Sequence, residues 1–315
     1  QYEGAFKHNQ LNGKGRYENA DGDVWSGDFK DGALTGKGEL TGIDGSHYSG
    51  MFNEWRFNGP GHLSLPDGST YVGEFAADTY QGQGTLTLSD GTVQSGYWLN
   101  GQRVRDAKGT VLPDPLELGL LNQGTLLNKA LDGVAPSTPA IELYSLVLAG
   151  DGKQSVFKRE ADYVSDMLAS RFGSRGRITL VNHRDHLLDS PMATRENLSR
   201  AAKTLAGRTG PEDLIFIYLT SHGTQEHELV LDQPRMELAD LPADELAAAL
   251  APLKNRDKII VISSCYSGGF IPALKDEKTL IMTASQADRV SFGCSEEADF
   301  TYFGNALFAQ ALNQT

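Results

Sequence analysis

The sequence predicts an α/β protein in two parts, an all-β array of hairpins followed by a parallel-dominated sheet flanked by helices. Glycines recur with a period of 23 residues up to about residue 104, which is typical of a stacked repeat architecture. From Ile141 onward, short apolar runs alternate with segments of helical period, which is typical of strands joined by crossover helices. A chain of 315 residues is long enough for two such cores.

Each repeat carries the same glycine, aromatic and turn residues. An Asp-Gly pair between short alternating runs is a strong hairpin signal, so we expect each copy to form a β-hairpin whose aromatic side chains pack on those of its neighbours. The array spans residues 1–104, about four and a half repeats, and the first copy lacks its opening strand. The recurring pairs of glycine and aromatic residue are Gly4 and Phe6, Gly27 and Phe29, Gly50 and Phe52, Gly73 and Phe75, and Gly96 and Trp98.

The acidic charge balance narrows the class of partner. The chain has a net charge of −13 and a pI near 5.0, and residues 1–104 hold seven basic and thirteen acidic residues. Nucleic acids and anionic lipids select clustered Lys and Arg, so neither is an expected partner. No segment approaches the ~20 continuous apolar residues of a transmembrane helix. We expect a soluble protein whose array binds a protein partner, presents substrate or self-associates. The sequence does not decide whether the protein is cytoplasmic or periplasmic.

Residues 105–140 lack the repeat period and predict a partly packed linker. Pro113, Pro115, Pro136 and Pro139 stand near its ends, where they interrupt regular structure. Seven leucines between positions 116 and 131 make its middle too apolar for a free tether. We expect this middle part to pack on one of the two domains.

Five apolar runs in residues 141–315 predict the strands of the second domain. Helical faces between them, such as Phe157 to Phe172, predict the crossover helices. Because strand and helix alternate, we expect a parallel, doubly wound sheet with its ligand site at the carboxyl ends of the strands. The predicted strands are Leu143–Ala149, Ile178–Val181, Leu214–Thr220, Ile259–Ser263 and Thr279–Thr283.

Two of these strands end at a reactive side chain. His222, followed by Gly223, comes after one strand, and Cys265 comes after the next. Neighbouring strands lie about 4.8 Å apart, so the imidazole and the thiol are expected to face each other. An imidazole beside a thiol produces the nucleophile that attack on an amide needs. The backbone N–H groups of Gly223 and Cys265 are the expected oxyanion donors.

Metal and cofactor chemistry are not expected. Cys265 and Cys294 are the two cysteines of the chain, too few for a zinc ribbon, and we expect Cys294 to be structural. His183 and His186 lack a third ligand nearby and are expected in a solvated loop.

Both parts of the chain resemble known families. The pattern Tyr-x-Gly-x-Phe, Gly-x-Gly and Asp-Gly resembles the MORN repeat. Residues 141–315 resemble the legumain family of caspase-like cysteine peptidases in Tyr218-Leu-Thr-Ser-His222-Gly223, in Ser263-Ser-Cys265-Tyr-Ser-Gly-Gly and in the segment from Thr283 to Cys294. This resemblance implies a caspase-like fold, with Cys265 as nucleophile, His222 as general base and acid, and Gly223 in the oxyanion hole.

The chain departs from the legumain pattern around the catalytic pair. Val156 stands where animal and plant legumains have an asparagine that supports the histidine, so a dyad is expected. Legumains cleave after Asn and Asp, and Lys158 or Arg159 suits such a side chain. Asp288 or Asp299 in the pocket would favour a basic residue instead, and the sequence leaves this open. The residues aligned with the specificity pocket are Lys158, Arg159, Ser263, Ser291 and Asn305.

The function predicted from the sequence is a cysteine endopeptidase that forms a thioester acyl-enzyme, with the repeats as an interaction or targeting module. Transfer of the acyl group to an amine is a variant of the same chemistry. The alternative is a catalytically inert scaffold that binds a partner through the array. Asn122, Asn128 and Asp132 of the linker suit a legumain-like pocket, which predicts self-cleavage between the domains.

Overall fold

The computed structural model describes residues 1–291 and 300–312. It divides the chain into two compact units, Gln1–Asp114 and Pro115–Thr315. Each unit has hydrophobic core clusters of its own. Among the helices in the described part of the chain, none has both the length and the apolar character needed to cross a membrane.

The first unit, all of whose residues are described, is one antiparallel sheet of ten strands in sequence order. This confirms the predicted array of hairpins. The prediction that the first copy lacks its opening strand is wrong, because Tyr2–Lys7 pairs with Gln10–Glu18 in a complete first hairpin. The strands are β1 (Tyr2–Lys7), β2 (Gln10–Glu18), β3 (Val24–Lys30), β4 (Ala33–Thr41), β5 (His47–Asn53), β6 (Arg56–Ser64), β7 (Thr70–Ala76), β8 (Thr79–Thr87), β9 (Val93–Leu99) and β10 (Gln102–Asp106).

An unbroken row of glycines crosses the sheet from β1 to β9. Each glycine of the row pairs with the next across every strand boundary. The Tyr48 ring lies over Gly50 and Gly61, where an added Cβ would overlap it. Tyr48 is fully buried and stacks on Phe57 at 3.7 Å between ring centroids, and burial raises its pKa to about 12. The repeat aromatics therefore form the core of the array, as the sequence predicts.

The hairpin turns differ from the prediction. Two-residue turns close the hairpin of each copy, and in several of them two non-glycine residues have positive φ, as in Glu54 (49°) and Trp55 (72°). The Asp-Gly pairs lie instead in the longer connections between copies, where Gly45 has a φ of 90°. These tight turns were not predicted from the sequence, because non-glycine residues rarely adopt positive φ.

The described residues of the second unit form a five-stranded parallel sheet, whose strands in spatial order are Gly176–Val181, Leu143–Ala149, Leu214–Thr220, Asp257–Ser263 and Thr279–Thr283. A short antiparallel pair, Glu228–Leu229 and Leu241–Pro242, lies outside this sheet. The elements are α1 (Pro115–Asp132), β11 (Leu143–Ala149), α2 (Ser155–Ser170), β12 (Gly176–Val181), α3 (Arg195–Arg208), β13 (Leu214–Thr220), β14 (Glu228–Leu229), β15 (Leu241–Pro242), α4 (Ala243–Leu250), β16 (Asp257–Ser263), α5 (Ile271–Leu274), β17 (Thr279–Thr283) and α6 (Tyr302–Gly304), followed by a π-helix, Asn305–Ala311.

The five predicted strands are confirmed, and the sheet is buried on both faces. One core cluster contains residues of α2 together with Phe308, and the other contains residues of α1, α3 and α4. This confirms the doubly wound arrangement. The predicted helical face to Phe172 is too long, because α2 ends at Ser170 and Phe172 is 43% exposed.

Helix α1 fills the middle of the predicted linker and belongs to the second unit. Its Leu127 and Leu131 are buried in the core, and a Cβ added at Gly119 would lie 2.6 Å from the Leu187 Cβ. The predicted cleavage positions Asn122 and Asn128 are therefore held in a helix instead of an open tether.

Candidate active site

The register of two neighbouring strands brings His222 and Cys265 to the same edge of the sheet. Strands β13 and β16 are parallel, and Thr220 is the pairing partner of Ser263. His222 and Cys265 each follow two residues later, beyond the carboxyl ends of their strands. A Cβ added at Gly223 would overlap the Cys265 carbonyl oxygen. The chain segments after the two strands therefore touch at Gly223 and Cys265, the positions that the sequence predicts for the catalytic site.

The His222 ring is held by two residues at the start of α2. Its Nε2 lies 2.9 Å from the Gln154 Oε1, and its ring packs edge-to-face on Phe157 with 5.0 Å between the centroids. Its carbonyl oxygen accepts a hydrogen bond of 3.0 Å from the Val230 N–H. The backbone and the side chain of His222 are thus both fixed by neighbouring elements.

The Cys265 thiol is partly exposed and forms no disulfide with any residue that the structure describes. The Ser291 N–H donates to its Sγ at 3.2 Å, and the thiol lies 3.6 Å from the Ser291 carbonyl oxygen. Both polar groups of the Ser291 backbone therefore face the sulfur. Within residues 1–291 and 300–312, the N–H groups of Cys265 and Gly223 have no hydrogen-bond acceptor.

The turn after Cys265 is anchored to the loop that follows β17. Tyr266 has a φ of 56° and donates its N–H to the Arg289 carbonyl at 2.8 Å, while the Gly268 N–H donates to the Ser285 carbonyl at 2.9 Å. These bonds hold the nucleophile turn and the Ser285–Ser291 loop together. Next to them lies an open cavity of about 400 Å³, whose lining includes Ser291 and Tyr302.

A buried carboxylate, Glu160 of α2, ties β13 to the chain before α6. Its Oε2 accepts from the Thr301 N–H at 2.7 Å and from the Thr301 hydroxyl at 2.9 Å. Its Oε1 accepts from the Tyr218 hydroxyl and, at 3.0 Å, from the Thr220 hydroxyl. Burial raises the pKa of Glu160. The four donors saturate both oxygens.

The residues predicted for the specificity pocket have different environments. Ser263 is buried, and its Oγ lies 3.0 Å from the Thr301 Oγ1, which places it in the Glu160 network. The Lys158 side chain is 17% exposed and pairs with Asp162 at 2.5 Å, and Arg159 is half-buried. Ser291 contacts the thiol through its backbone.

The remaining sequence-predicted residues divide between surface and undescribed positions. The Asn305 N–H donates to the Thr301 carbonyl at 2.9 Å, and its side chain accepts from Gln310 at 3.3 Å. Asp288 is exposed. Asp299 and Cys294 lie outside the described residues. The structure thus joins Ser263 and Asn305 to one network through Thr301, and it brings Ser291 to Cys265.

Three residues of the site, Gln154, Glu160 and Thr301, were missed by the sequence analysis. Gln154 stands two residues before Val156, the position aligned with the supporting asparagine, and a polar residue so close to that position was the available signal. Glu160 lies on the helix that the sequence predicts, but an acid in an amphipathic helix usually faces solvent. Nothing in the sequence indicates that Thr301 meets it.

The two histidines before α3, His183 and His186, have ring centroids 4.9 Å apart. His183 is buried, and its Nε2 lies 3.0 Å from the Ser155 Oγ. Burial lowers the pKa of His183 to about 4, so it is neutral at physiological pH. No cluster of three or more His, Cys, Asp or Glu residues in the described part of the chain is arranged to hold a metal ion. The predicted solvated loop is wrong for His183, which is a core residue.

Both parts of the chain match known sequence families. Residues 143–206 and 195–315 match the profile of the Peptidase C13 family, and residues 2–24, 25–47 and 71–93 match the MORN repeat. No curated protein matches the chain significantly. Among solved structures, the crystal structure of caspase-1 from Spodoptera frugiperda is similar, with a TM-score of 0.38 and 13% identity over 53% of this chain and 67% of that chain. The family match spans more than half of the chain, so the protein belongs to the peptidase C13, or legumain, family of cysteine peptidases and carries MORN repeats ahead of its peptidase domain.

Proposed function

We propose that the protein is a cysteine endopeptidase whose nucleophile is Cys265 and whose general base and acid is His222. The observation that carries this proposal is the strand register. Thr220 pairs with Ser263, and the imidazole and the thiol each follow two residues later. Packing of the sheet gives no reason for two reactive side chains at equivalent positions of neighbouring strands.

The chemistry proceeds through a thioester. The Cys265 sulfur bonds to the carbonyl carbon of the scissile peptide while His222 takes up the thiol proton. His222 then gives this proton to the leaving nitrogen as the carbon–nitrogen bond breaks. Water adds to the thioester as His222 accepts one of its protons, and the proton returns to sulfur when the acid product leaves. An amine in place of water would yield a transpeptidation product.

The negative charge that develops on the carbonyl oxygen needs donors that are not already occupied. The N–H groups of Gly223 and Cys265 meet this condition among the described residues. The backbones of the two residues are also in contact, since a Cβ at Gly223 would overlap the Cys265 carbonyl. These N–H groups are the oxyanion hole of the proposed mechanism.

An amide or acidic residue is the proposed specificity before the cleaved bond. Glu160 is a buried acid joined to the predicted pocket residue Ser263 through Thr301, and its two oxygens already accept four hydrogen bonds. It therefore has no remaining capacity to bind a basic side chain. Arg159 lies on the same helix, as does Lys158, whose ammonium pairs with Asp162 at 2.5 Å. A cationic side chain of this helix would suit Asn or Asp.

A peptide library exposed to the wild-type chain and to a Cys265→Ala variant tests this function. We expect turnover by the wild type, none by the variant, and covalent labelling of Cys265 by a peptidyl electrophile. Persistent cleavage by Cys265→Ala would exclude Cys265 as the nucleophile. A wild-type chain that neither cleaves any library peptide between pH 4 and 9 nor reacts with the electrophile would be an inert scaffold.

The first unit is proposed to bind a polypeptide, either a partner or a second copy of the chain. A cavity of about 770 Å³ on its sheet is lined by Lys14 and Lys37 and by Asp28 and Glu39. Its charges balance, which fits a polypeptide better than a polyanion. Two chains would be compared, Cys265→Ala alone and Cys265→Ala combined with Lys14→Glu and Lys37→Glu. Each would be used to capture binding proteins, and its molar mass would be measured by light scattering. Unchanged capture and mass would exclude this cavity as the site.

A further inference from the structure

The contact between Gln154 and His222 assigns a role to a residue outside the dyad. We propose that Gln154 is the positioning residue of His222, with its amide oxygen accepting the Nε2 proton so that Nδ1 is the nitrogen left for the thiol. The inference deepens the proposed function and rests on it, because it concerns the orientation of the base. It replaces the expectation of a dyad without a supporting side chain.

The backbone around Gln154 is fixed before its side chain acts. The Asp151 Oδ1 accepts from the N–H groups of Lys153 and Gln154, both at 2.9 Å, and Asp151 is itself buried. Gln154 has an extended backbone, with φ of −111° and ψ of 121°, and helix α2 begins at the next residue. The amide is therefore carried on a turn that the Asp151 carboxylate holds by two hydrogen bonds.

Val156 cannot have this role, although it aligns with the supporting asparagine of the legumains. It lies inside the first turn of α2, is fully buried and packs in the core. Gln154 lies just before the helix, and its side chain reaches the His222 ring at 2.9 Å. The support has moved two residues along the chain, and the side chain is one methylene longer than that of asparagine.

The direction of the hydrogen bond follows from what the base must do. An amide oxygen accepts from Nε2 both in the neutral ring and in the imidazolium, which carries protons on both nitrogens. An amide turned the other way would require a lone pair on Nε2 and a proton on Nδ1. That ring could not take the thiol proton through Nδ1. The oxygen orientation is the one that serves the whole cycle.

Phe157 completes the support. Its ring meets the His222 ring edge-to-face, with 5.0 Å between the centroids, and it is fully buried. An apolar ring at this position fills the space into which the imidazole would otherwise rotate. Gln154 then fixes the remaining freedom, the identity of the protonated nitrogen.

The variants Gln154→Ala and Gln154→Glu distinguish a role of Gln154 in orienting His222 from a role in stabilising the fold. We expect Gln154→Ala to lower kcat about tenfold or more, part of the ~10²–10⁴ that general acid–base catalysis contributes, with little change in KM. Gln154→Glu keeps an oxygen acceptor and should restore kcat near neutral pH. Its carboxylate should also move the pH-profile limb governed by His222 to higher pH, by roughly one unit or more. Lys153→Ala, which removes an exposed neighbouring side chain paired with Asp232, is the control and should match the wild type.

Nitrogen-15 NMR of the His222 ring gives a readout independent of turnover. We expect the Nε2–H tautomer in the wild-type chain and a mixture of tautomers in Gln154→Ala. A wild type with the Nδ1–H tautomer, or a Gln154→Ala variant with unchanged kcat and pH profile, would overturn the inference while leaving the peptidase intact. A wild-type chain without thiol-dependent cleavage would instead overturn the proposed function.

Discussion

The Glu160 carboxylate accepts a hydrogen bond of 2.7 Å from the Thr301 N–H, which lies 141 residues later in the chain. The same carboxylate accepts from Tyr218 and Thr220 of β13, which lie four and two residues before His222. A single buried acid thus links the strand of the proposed base to the segment that leads into Asn305. An added Cβ at Gly304 would overlap this carboxylate, so the link has little room to adjust.

Glu160→Gln is expected to destabilise the second unit by about 1–3 kcal/mol. An amide offers two donors where the carboxylate offered only acceptors, and the Thr301 N–H cannot turn away from them. The pH dependence should also change. Because burial raises the pKa of Glu160, the folded chain keeps this proton over a pH range in which the unfolded chain has lost it, and stability falls as pH rises through that range.

Urea unfolding of the wild type and Glu160→Gln at a series of pH values above 4 measures both effects. The variant should have a lower free energy of unfolding at the lowest pH. Its free energy of unfolding should also fall less than that of the wild type as pH rises, because the contribution of Glu160 is missing. Asp162→Asn, which alters a half-exposed acid on the same helix, is the matched control. Equal stability and equal pH dependence of Glu160→Gln and wild type would contradict the network.

His183 is expected to make the fold acid-sensitive. Burial lowers its pKa from 6.5 to about 4. Between these pH values the His183 ring is neutral in the folded chain, whereas in the unfolded chain it takes up a proton. The stability that depends on this group is present above pH 6.5 and is lost as pH falls toward about 4, by roughly 3 kcal/mol in total.

Thermal unfolding of a His183→Gln variant between pH 4 and 8 checks this expectation. The stability of the variant should fall less steeply than that of the wild type as pH is lowered, whatever its stability at neutral pH. We call this low-pH part of the stability profile the acid limb. His62→Gln, at an exposed position of the first unit, should leave the acid limb unchanged. An acid limb of the same slope in all three chains would assign the sensitivity to other groups.

Gly223→Ala is expected to reduce kcat by about a hundredfold or more, the effect of removing one oxyanion donor. The new Cβ would overlap the Cys265 carbonyl and lie 3.0 Å from the Ser264 Oγ, so the N–H must move. The thiol itself stays accessible, and a small electrophile should still alkylate Cys265. Gly207→Ala, where an added Cβ meets nothing within 4 Å, serves as control for kcat. Alkylation and turnover lost in parallel would point to unfolding instead.

Two glycines of α1 should respond in opposite ways to alanine. A Cβ at Gly119 would lie 2.6 Å from the Leu187 Cβ, whereas one at Gly124 meets nothing within 4 Å. Gly124→Ala should therefore stabilise the chain by up to about 1 kcal/mol, and Gly119→Ala should destabilise it. Calorimetry distinguishes the two variants, and a change of the same sign in both would contradict the docking of α1.

The same pair of variants bears on self-cleavage between the domains. Peptidases bind substrates in extended form, and Asn122 and Asn128 are helical. We expect them to be cut faster in Gly119→Ala than in Gly124→Ala, as mass spectrometry of the fragments would show. Equal cleavage rates would mean that α1 does not protect these positions.

The sequence predicts those parts of the molecule that local pattern determines. Apolar runs gave all five strands of the second sheet, and the strand ends gave His222, Gly223 and Cys265. Gln154 and Glu160 were not predictable, because alignment compares residues position by position and cannot show that a side chain from another position reaches the site. Helix α1 was read as a linker because its two glycines and flanking prolines obscure a helical period.

The glycine row of the first unit has a consequence for how that unit comes apart. Tyr48 is seated over Gly50 and Gly61 of its own hairpin, and its ring meets Phe75 of the next copy at 5.1 Å. Ring contacts of this kind are short-range: they join adjacent copies, and Tyr17 of the first copy meets Trp55 of the third at 5.1 Å between centroids. Each copy therefore depends on its near neighbours, as in other repeat proteins. The amide protons of the array should therefore exchange with solvent in steps, fastest at the outer hairpins and slowest in the middle. The hairpins of the array should unfold one after another from its ends. The amide protons of the doubly wound sheet in the second unit should instead exchange together, in one cooperative unfolding step.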